Sequence, residues 1–132
     1  MYYENSSMVN KVMNEESIDR TPALQRLITK LTKENLWLYV IRVLKESPMY
    51  AYEVKVHITN RMGIKVSTVA VYTVLYKMTR EGLLERFTGS SGRSYYRVTE
   101  KGIKAYEKAI RVLEDVISIL KGEKEALKLS TS

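Results

Sequence analysis

The stretch "VSTVAVYTVLYKMTREGLLERFTGSSGRSYYRVT", residues 66–99, decides the fold, because it contains a helix and a hairpin in immediate succession. Ser67 is a favoured N-cap residue, and Val66 and Val71 have the spacing of a hydrophobic staple. Gly82 predicts the end of this helix. The segments "LLERFT" and "RSYYRVT", joined by "GSSG", alternate as two strands of a tight hairpin do. The region therefore predicts a helix followed by a two-stranded β-hairpin.

The helix in this stretch has two distinct faces. A buried stripe is predicted at Val71, Val74, Leu75 and Met78, which recur at helical spacing. No acidic residue occurs between Ser67 and Arg80. The outward face consists of Thr68, Val69, Tyr72, Thr73, Tyr76 and Lys77.

Three helices are predicted before it. Thr21 and Pro22 start the first, whose apolar stripe is Leu24, Leu27, Ile28 and Leu31; it either breaks at Thr32 or continues into the next. The second covers roughly 33–46 and stops before Pro48. It is apolar on more than one face, so we expect burial on two sides, one of which could face a second subunit.

The third of these helices lies within residues 50–63. Val54 and Ile58 are predicted to face inward, whereas Lys55 and Arg61 point outward. Gly63 is the predicted C-terminal breaker.

A long final helix follows the hairpin, with Thr99 as its N-cap and Gly122 after its end. A heptad seam repeats along it at Ile103, Tyr106, Ile110, Leu113, Ile117 and Leu120. A second apolar stripe lies beside the seam, so the helix has more apolar surface than one small domain covers. We therefore predict that these seam residues form a homodimer; the alternative is an intramolecular helix that covers the core.

Apart from the short N-terminal helix, three helices precede the hairpin, and three helices followed by a hairpin is the winged variant of the helix-turn-helix plan. The predicted fold is mainly α with a small β-hairpin (α+β), a winged helix-turn-helix with a long C-terminal dimerisation helix. Residues 1–20 are expected to be a mobile tail and 21–98 the DNA-binding domain with its N-terminal helix. Residues 99–122 would form the dimerisation helix and 123–132 a flexible tail.

The distribution of charge suggests a polyanionic partner. The chain has 132 residues and a formal net charge of +7, and between residues 21 and 111 it has 17 basic against seven acidic residues. Such an excess is typical of a surface that binds nucleic acid, although a solvated basic surface would look the same. No apolar run approaches membrane-spanning length and no signal core precedes residue 30, so we expect a cytoplasmic protein without a membrane partner.

The partner expected on this basis is double-stranded DNA. The helix after Gly63 would enter the major groove, and its predicted contacts are Ser67, Thr68, Val69, Tyr72, Thr73, Tyr76 and Lys77. Arg, Asn and Gln are absent from Ser67 to Thr79. We therefore expect modest direct base readout, with much of the specificity coming from DNA shape and phosphate contacts.

The hairpin is predicted to approach the adjacent minor groove. Gly89 and Gly92 permit its turn, and its predicted contacts are Arg86, Ser90, Ser91, Arg93 and Arg97. Arg93 is the expected minor-groove residue, because a guanidinium suits narrow A·T-rich grooves. The alternative is a solubilising surface hairpin.

Catalytic and metal-binding functions have little support. His57 is the single histidine and there is no cysteine, so we expect no zinc site, no cofactor and no enzymatic activity. Trp37, Tyr39 and Tyr106 could line a pocket for a small aromatic effector at the dimer interface. The alternative is that these aromatic residues belong to the core.

Three quoted runs together resemble the PadR-type transcriptional regulators: "ENLWLYVIRVLKESPMYAYEVKVHI", "VSTVAVYTVLYKMTREGLLERF" and "GRSYYRVTEKG". The resemblance covers about residues 32–121. It implies a homodimeric repressor whose final helix dimerises, with an aromatic or amphipathic effector at or near the interface in some members. The single C-terminal helix looks like the short subtype. Ala51 stands where the family usually has glycine, which is a packing change. Thr73 and Tyr76 stand where basic or proline residues are common, so the resemblance cannot supply the operator sequence.

Two other functions remain open at this point. The first is a non-specific chromatin or architectural DNA-binding protein of the same fold, because the predicted recognition helix is poor in strong base readers. The second is a small-molecule or partner-binding module that does not bind DNA.

Overall fold

The computed structural model describes residues 21–128; the predicted N-terminal tail at 1–20 and the last four residues lie outside the described residues. The elements are α1 (Pro22–Leu31), a 3₁₀ turn (Lys33–Asn35), α2 (Leu36–Leu44), β1 (Met49–Tyr50), α3 (Ala51–Met62), α4 (Thr68–Arg80), β2 (Leu84–Thr88), β3 (Ser94–Val98) and α5 (Glu100–Leu120). The predicted class, mainly α with a small β-structure and a long last helix, is confirmed.

The first two helices are separated at Thr32. Thr32 Oγ1 donates a hydrogen bond to the carbonyl of Ile28 at 2.7 Å, and the Asn35 side chain donates to the carbonyl of Lys30 at 2.6 Å. The Ile28 carbonyl also accepts from the Thr32 N–H at 3.0 Å, whereas the Lys30 carbonyl, in the last turn of α1, is satisfied by the Asn35 side chain, so the end of the helix is capped there. Of the two alternatives, the break at Thr32 is correct, and the predicted second helix is shorter than 33–46.

The sheet has three antiparallel strands in the order β1–β3–β2. The predicted hairpin is β2 and β3, paired from Leu84 opposite Val98 to Thr88 opposite Ser94. The added strand β1 pairs Met49 with Tyr96. Strand β1 was not predicted, because a two-residue strand is too short to show an alternating pattern.

One hydrophobic core joins α2, α3, α4 and the sheet. Its buried members are Leu36, Val40, Ile41, Val43, Leu44, Met49, Ala51, Val54, Ile58, Ile64, Val71, Leu75, Met78, Leu84 and Tyr96. The predicted burial of α2 on two sides is correct, since Val40, Ile41 and Val43 are all fully buried. This burial occurs within one chain, so the core side chains of α2 do not require a second subunit to cover them.

A hydrogen-bonded joint connects the end of α4 to the start of α5. Thr99 Oγ1 accepts from the Gly102 N–H at 3.0 Å and donates to the Gly82 carbonyl at 2.6 Å. Lys101 Nζ donates to the carbonyl of Glu81 at 2.8 Å. A Cβ at residue 102 would collide with the Leu83 carbonyl, which shows how closely α5 approaches the chain that follows α4.

The two halves of α5 differ in their surroundings. Ile103 and Tyr106, in the first half, pack against the core. Ile117 and Leu120, in the second half, are 53% and 80% exposed. Beyond the helix, Lys124 turns back and forms a 2.7 Å ion pair with Asp115. The heptad seam is therefore covered at its start and open at its end.

A cluster of ionised groups connects α2 to α3. Glu46 accepts hydrogen bonds from Arg61 at 2.8 and 2.9 Å and from Arg42 at 2.9 Å. These bonds, that from Arg61 foremost, lower the pKa of Glu46 from 4.5 to about 2. Arg61 also lies 3.1 Å from Nδ1 of His57. Arg61 therefore bonds to Glu46 of its own chain on the side that was predicted to face outward.

Candidate nucleic-acid interface

Helix α4 begins at a side-chain cap and presents a solvent-facing surface. Ser67 Oγ accepts a hydrogen bond from the Ala70 N–H at 3.0 Å, which confirms the predicted N-cap. Val71, Leu75 and Met78 face the core. The six residues predicted to face outward are all exposed, with Val69 at 74%: Thr68, Val69, Tyr72, Thr73, Tyr76 and Lys77. The face that could enter a groove is therefore accessible.

A lysine from α3 stands beside the start of α4. Lys55 Nζ donates a hydrogen bond to Thr68 Oγ1 at 3.2 Å. The positive end of the helix dipole and this ammonium therefore lie close together, a combination that favours a phosphate. Sequence analysis predicted only that Lys55 points outward, because the contact depends on how α3 packs against α4.

The hairpin β2–β3, here called the wing (Leu84–Val98), presents its arginines on opposite faces. Arg86 lies opposite Tyr96 in the strand register, and Arg97 lies opposite Glu85. Directly opposed residues share a face, whereas neighbours along a strand do not. Arg86 therefore shares the face of the buried Tyr96, and Arg97 the other face. The sequence could have shown this, since Tyr96 and Arg97 alternate.

Arg97 already has a carboxylate partner. Its Nε forms a 2.7 Å ion pair with Oε1 of Glu85, and its guanidinium lies 4.4 Å from the centre of the Phe87 ring. Both ion-pair side chains are at least half exposed, so the pair is weak and solvent-screened. Glu85 therefore partly neutralises the positive charge of Arg97.

The tip of the wing is a four-residue turn. The Gly89 N–H donates to the Arg93 carbonyl at 2.8 Å, and the Gly92 N–H donates to the Gly89 carbonyl at 3.0 Å. Gly92 has φ +82°, a left-handed conformation that favours glycine. Ser90 and Ser91 are exposed at this tip. The predicted role of the two glycines in the turn is consistent with this geometry.

Arg93 leans from the wing toward β1. Its guanidinium lies 4.7 Å from the centre of the Tyr50 ring, a cation–π distance. The side chain is exposed, and with Tyr50 it lines the space between the wing and α4. Insertion of Arg93 into a minor groove would require it to leave this ring.

A cleft of about 830 Å³ separates α4 from the wing. Arg80, which sequence analysis did not include in the interface, lies 5.7 Å from the Tyr76 ring at its edge. The lining residues are Tyr50, Ala51, Tyr72, Tyr76, Thr79, Arg80, Arg86, Arg93, Ser94 and Tyr96. Three of them are arginines and none is acidic, so the cleft attracts anions.

The three aromatic residues predicted to line an effector pocket lie in different surroundings. Trp37 lines a second cavity, of about 880 Å³, between α2, α4 and α5. The Tyr39 hydroxyl donates to the Leu31 carbonyl, and burial raises the pKa of Tyr39. The Tyr106 ring lies 5.1 Å from the Lys45 ammonium. Of the three, only Trp37 lines the 830 Å³ cleft or the 880 Å³ cavity, so a shared pocket for the three stays a prediction.

The described part of the chain contains neither a metal-binding group of side chains nor a membrane-spanning helix. Within residues 21–128, no group of three or more His, Asp or Glu side chains is placed to hold a metal ion. None of the helices in that range is long and apolar enough to cross a membrane.

Comparison with known proteins identifies the family. The model of the transcriptional regulator PadR-like family matches residues 40–108. A solved PadR family transcriptional regulator from Eggerthella lenta is 26% identical, with 77% of this chain and 95% of that chain covered and a TM-score of 0.59. No curated protein sequence gives a significant match.

Two further structures share the fold. A transcriptional regulator from Clostridium thermocellum has a TM-score of 0.62 at 20% identity, with 71% of this chain and 94% of that chain covered. A winged-helix DNA-binding protein from STIV has a TM-score of 0.52 at 19% identity, with coverages of 67% and 92%. The predicted winged-helix fold, the family resemblance and the non-enzymatic character of the family are confirmed. The chain belongs to the PadR-like family of transcriptional regulators and is a DNA-binding winged-helix protein.

Proposed function

We propose that this regulator binds a pseudo-palindromic operator as a homodimer, with α4 in the major groove and the wing at the adjacent minor groove. The observation that supports it most is the exposed, carboxylate-free outer face of α4 beside a cationic wing. Repression would follow from occlusion of the promoter. Family membership indicates DNA binding in general, and the placement of α4 and the wing adds the specific mode of binding.

The amino-terminal half of α4 would carry the base contacts. Val69, the most exposed of its apolar residues, suits a thymine methyl group, and the hydroxyls of Thr68 and Thr73 can meet base edges. Tyr72 lies beside them on the same face. Because these groups discriminate bases less strongly than Arg or Asn, sequence preference would also depend on DNA shape.

Phosphate contacts would fix the register. Ser67 and the first N–H groups of α4 favour one phosphate, and Tyr76 and Lys77 lie farther along the same face. On the wing, Ser90 and Ser91 can approach a phosphate without steric bulk, whereas Arg86 and Arg93 supply charge. Arg97 would contribute least, because Glu85 partly neutralises it.

The open end of α5 supports the dimer. Apolar side chains exposed along its second half include Ile110, Val112, Ile117 and Leu120, and Leu113 is half-buried. Water-exposed apolar groups at heptad spacing are stabilised when a second helix covers them. Two α4 helices in such a dimer would read half-sites about 34 Å apart, one turn of B-DNA.

The proposal also includes a response to a small-molecule effector. Trp37, at the second cavity, is a candidate for binding a small aromatic molecule at the dimer interface. Tyr39, on the same helix, and Tyr106, on α5, are the other two candidates. A ligand there would contact α2, α4 and α5 together, so it could bias the position of α4.

Fluorescence anisotropy with the chain's own promoter fragment tests the DNA-binding mode. We expect the labelled fragment to stay bound under excess random duplex, and Lys77→Ala to lower the salt slope of log affinity by about 0.9, the effect of one lost phosphate contact. Lys108→Ala, which removes an exposed lysine from α5, is the matched control. An unchanged slope for Lys77→Ala would contradict the proposed placement of α4.

An architectural protein is the competing function, favoured by the absence of Arg, Asn and Gln from Ser67 to Thr79. Such a protein would lose the labelled fragment to random duplex at the same concentration as to unlabelled promoter. The competition arm of the experiment therefore distinguishes the two functions.

A further inference from the structure

We propose that the cleft between α4 and the wing binds a free purine nucleotide, with the base against its tyrosine rings and the phosphates on its arginines. Because the cleft adjoins the outer face of α4, this ligand would compete with DNA. The binding half of the proposal stands on the cleft alone, whereas the competition half rests on the proposed function.

The dimensions of the cleft suit a small molecule. Its volume of about 830 Å³ lies in the range of small-ligand sites, about 300–1,000 Å³. One wall is the outer face of α4 and the other is the wing, while Tyr96, only 7% exposed, lies at the depth of the cleft. A ligand here would contact two elements and the sheet at once.

The charge of the cleft favours an anion. Arg80, Arg86 and Arg93 line it, and no Asp or Glu does. The ion pairs formed within residues 21–128 engage Arg97, on the other face of the wing, but none of these three. A guanidinium donates in its own plane and matches phosphate oxygens in a bidentate manner. Three arginines around one cavity therefore suit more than one phosphate group.

The rings of the cleft add a requirement that duplex DNA does not meet. Tyr50, Tyr72 and Tyr76 line it with accessible side chains, whereas Tyr96 is buried. A duplex presents its sugar–phosphate backbone to such a surface while its base faces stay stacked inside the helix. A free nucleotide presents an unstacked base and phosphates together, and bases stack readily on aromatic side chains. A purine gives the larger ring face of the two base classes.

Isothermal titration calorimetry of the full chain with ADP, adenosine and pyrophosphate, each with EDTA present, tests the binding half. We expect ADP to bind about tenfold or more tightly than either fragment, since each lacks one set of contacts. Absence of ADP binding would overturn the proposal. Equal affinity for pyrophosphate and ADP would overturn it too, because it would indicate a cationic surface without a base site.

Variants locate the site. Arg80→Ala and Arg93→Ala should each weaken ADP binding by about tenfold, the size of one lost charge-assisted hydrogen bond. Arg97→Ala, on the opposite face of the wing, and Trp37→Phe, in the second cavity, should leave ADP affinity unchanged. An equal loss in Arg97→Ala would place the ligand elsewhere and overturn the assignment. Tyr50→Leu tests the ring, with its circular dichroism melt recorded to verify folding.

Displacement from DNA tests the competition half. Anisotropy of the labelled promoter fragment should fall as ADP is added at constant ionic strength, and adenosine should have no effect. DNA that stays bound at saturating ADP would overturn competition. If the chain does not bind the fragment even without ADP, the proposed function fails, while the calorimetry still decides whether the cleft is a nucleotide site.

Discussion

The two ends of α5 present the same kind of side chains to very different surroundings. Ile103 and Tyr106 pack on the core of their own chain, whereas Ile117 and Leu120, in the same heptad seam, are mostly in water. The winged-helix unit therefore completes its core within one chain, and the far half of α5 adds apolar surface without adding to that core. The groups that stabilise the fold are thus different from those proposed to hold the dimer.

The largest effect should come from the core beneath α4. Leu75 is fully buried, so Leu75→Ala leaves a cavity and should lower the free energy of unfolding by about 2–5 kcal/mol. Val112→Ala, at a position 38% exposed on α5, is the control, with an expected change below about 0.5 kcal/mol. Urea denaturation followed by circular dichroism measures both. Similar losses in the two variants would remove the distinction between core and far helix.

The double variant Ile117→Asp/Leu120→Asp should weaken the proposed dimer about a hundredfold, because charges would enter an apolar seam. The winged-helix unit should keep its secondary structure and unfolding midpoint, measured at a concentration where the unaltered protein is monomeric. Light scattering coupled to size exclusion gives the mass. The exposed polar pair Glu114→Gln/Arg111→Gln on the same helix is the control. An unaltered protein that stays monomeric at the highest concentration measured would contradict the proposed dimer.

Gly102→Ala probes the boundary between the two regions. The new methyl group would collide with the Leu83 carbonyl, so α5 must move away from the end of α4, at a cost of about 1–3 kcal/mol in stability. Gly122→Ala, where a Cβ meets no atom but φ is +79°, serves as a comparison for backbone strain alone. Thermal unfolding measures both, and an unaffected Gly102→Ala would show that the joint yields easily.

The smallest effect should be the pH response of the α2–α3 ion cluster. The pKa of Glu46 is lowered to about 2 by the hydrogen bond from Arg61, so its contribution is complete above its ordinary value of 4.5. That contribution is lost as the pH falls from 4.5 toward 2. Because the carboxylate is 37% exposed, it amounts to less than about 1 kcal/mol.

Glu46→Gln should flatten this part of the stability–pH curve, measured by urea denaturation at several pH values. Glu107→Gln, an exposed carboxylate on α5, should leave it unchanged. A Glu46→Gln curve that keeps the slope of the unaltered protein below pH 4.5 would assign the acid response to other groups.

Local features were predictable from the sequence because their causes are local. The caps Thr21, Ser67 and Thr99 act within three residues, and the outer face of α4 follows from helical periodicity alone. The strand β1 was missed, since its pairing partner lies more than forty residues away in the chain.

The candidate site follows the same division. The exposed residues of α4 were predicted, whereas the contribution of Arg80 and Tyr50 to the cleft was not, because it arises only when α4, the wing and β1 are brought together. The partnership of Arg97 with Glu85 depends on strand register, which the hairpin length alone could have supplied. The DNA contacts and the dimer seam stay predictions.

The joint at Thr99 couples the orientation of α5 to that of α4. Its bonds to Gly82 and Gly102 hold the last turn of one helix against the first turn of the next. In the proposed dimer, the separation of the two α4 helices would therefore depend on the angle at which the two α5 helices cross. A change in this crossing angle would alter the preferred distance between the operator half-sites without changing any residue that contacts DNA.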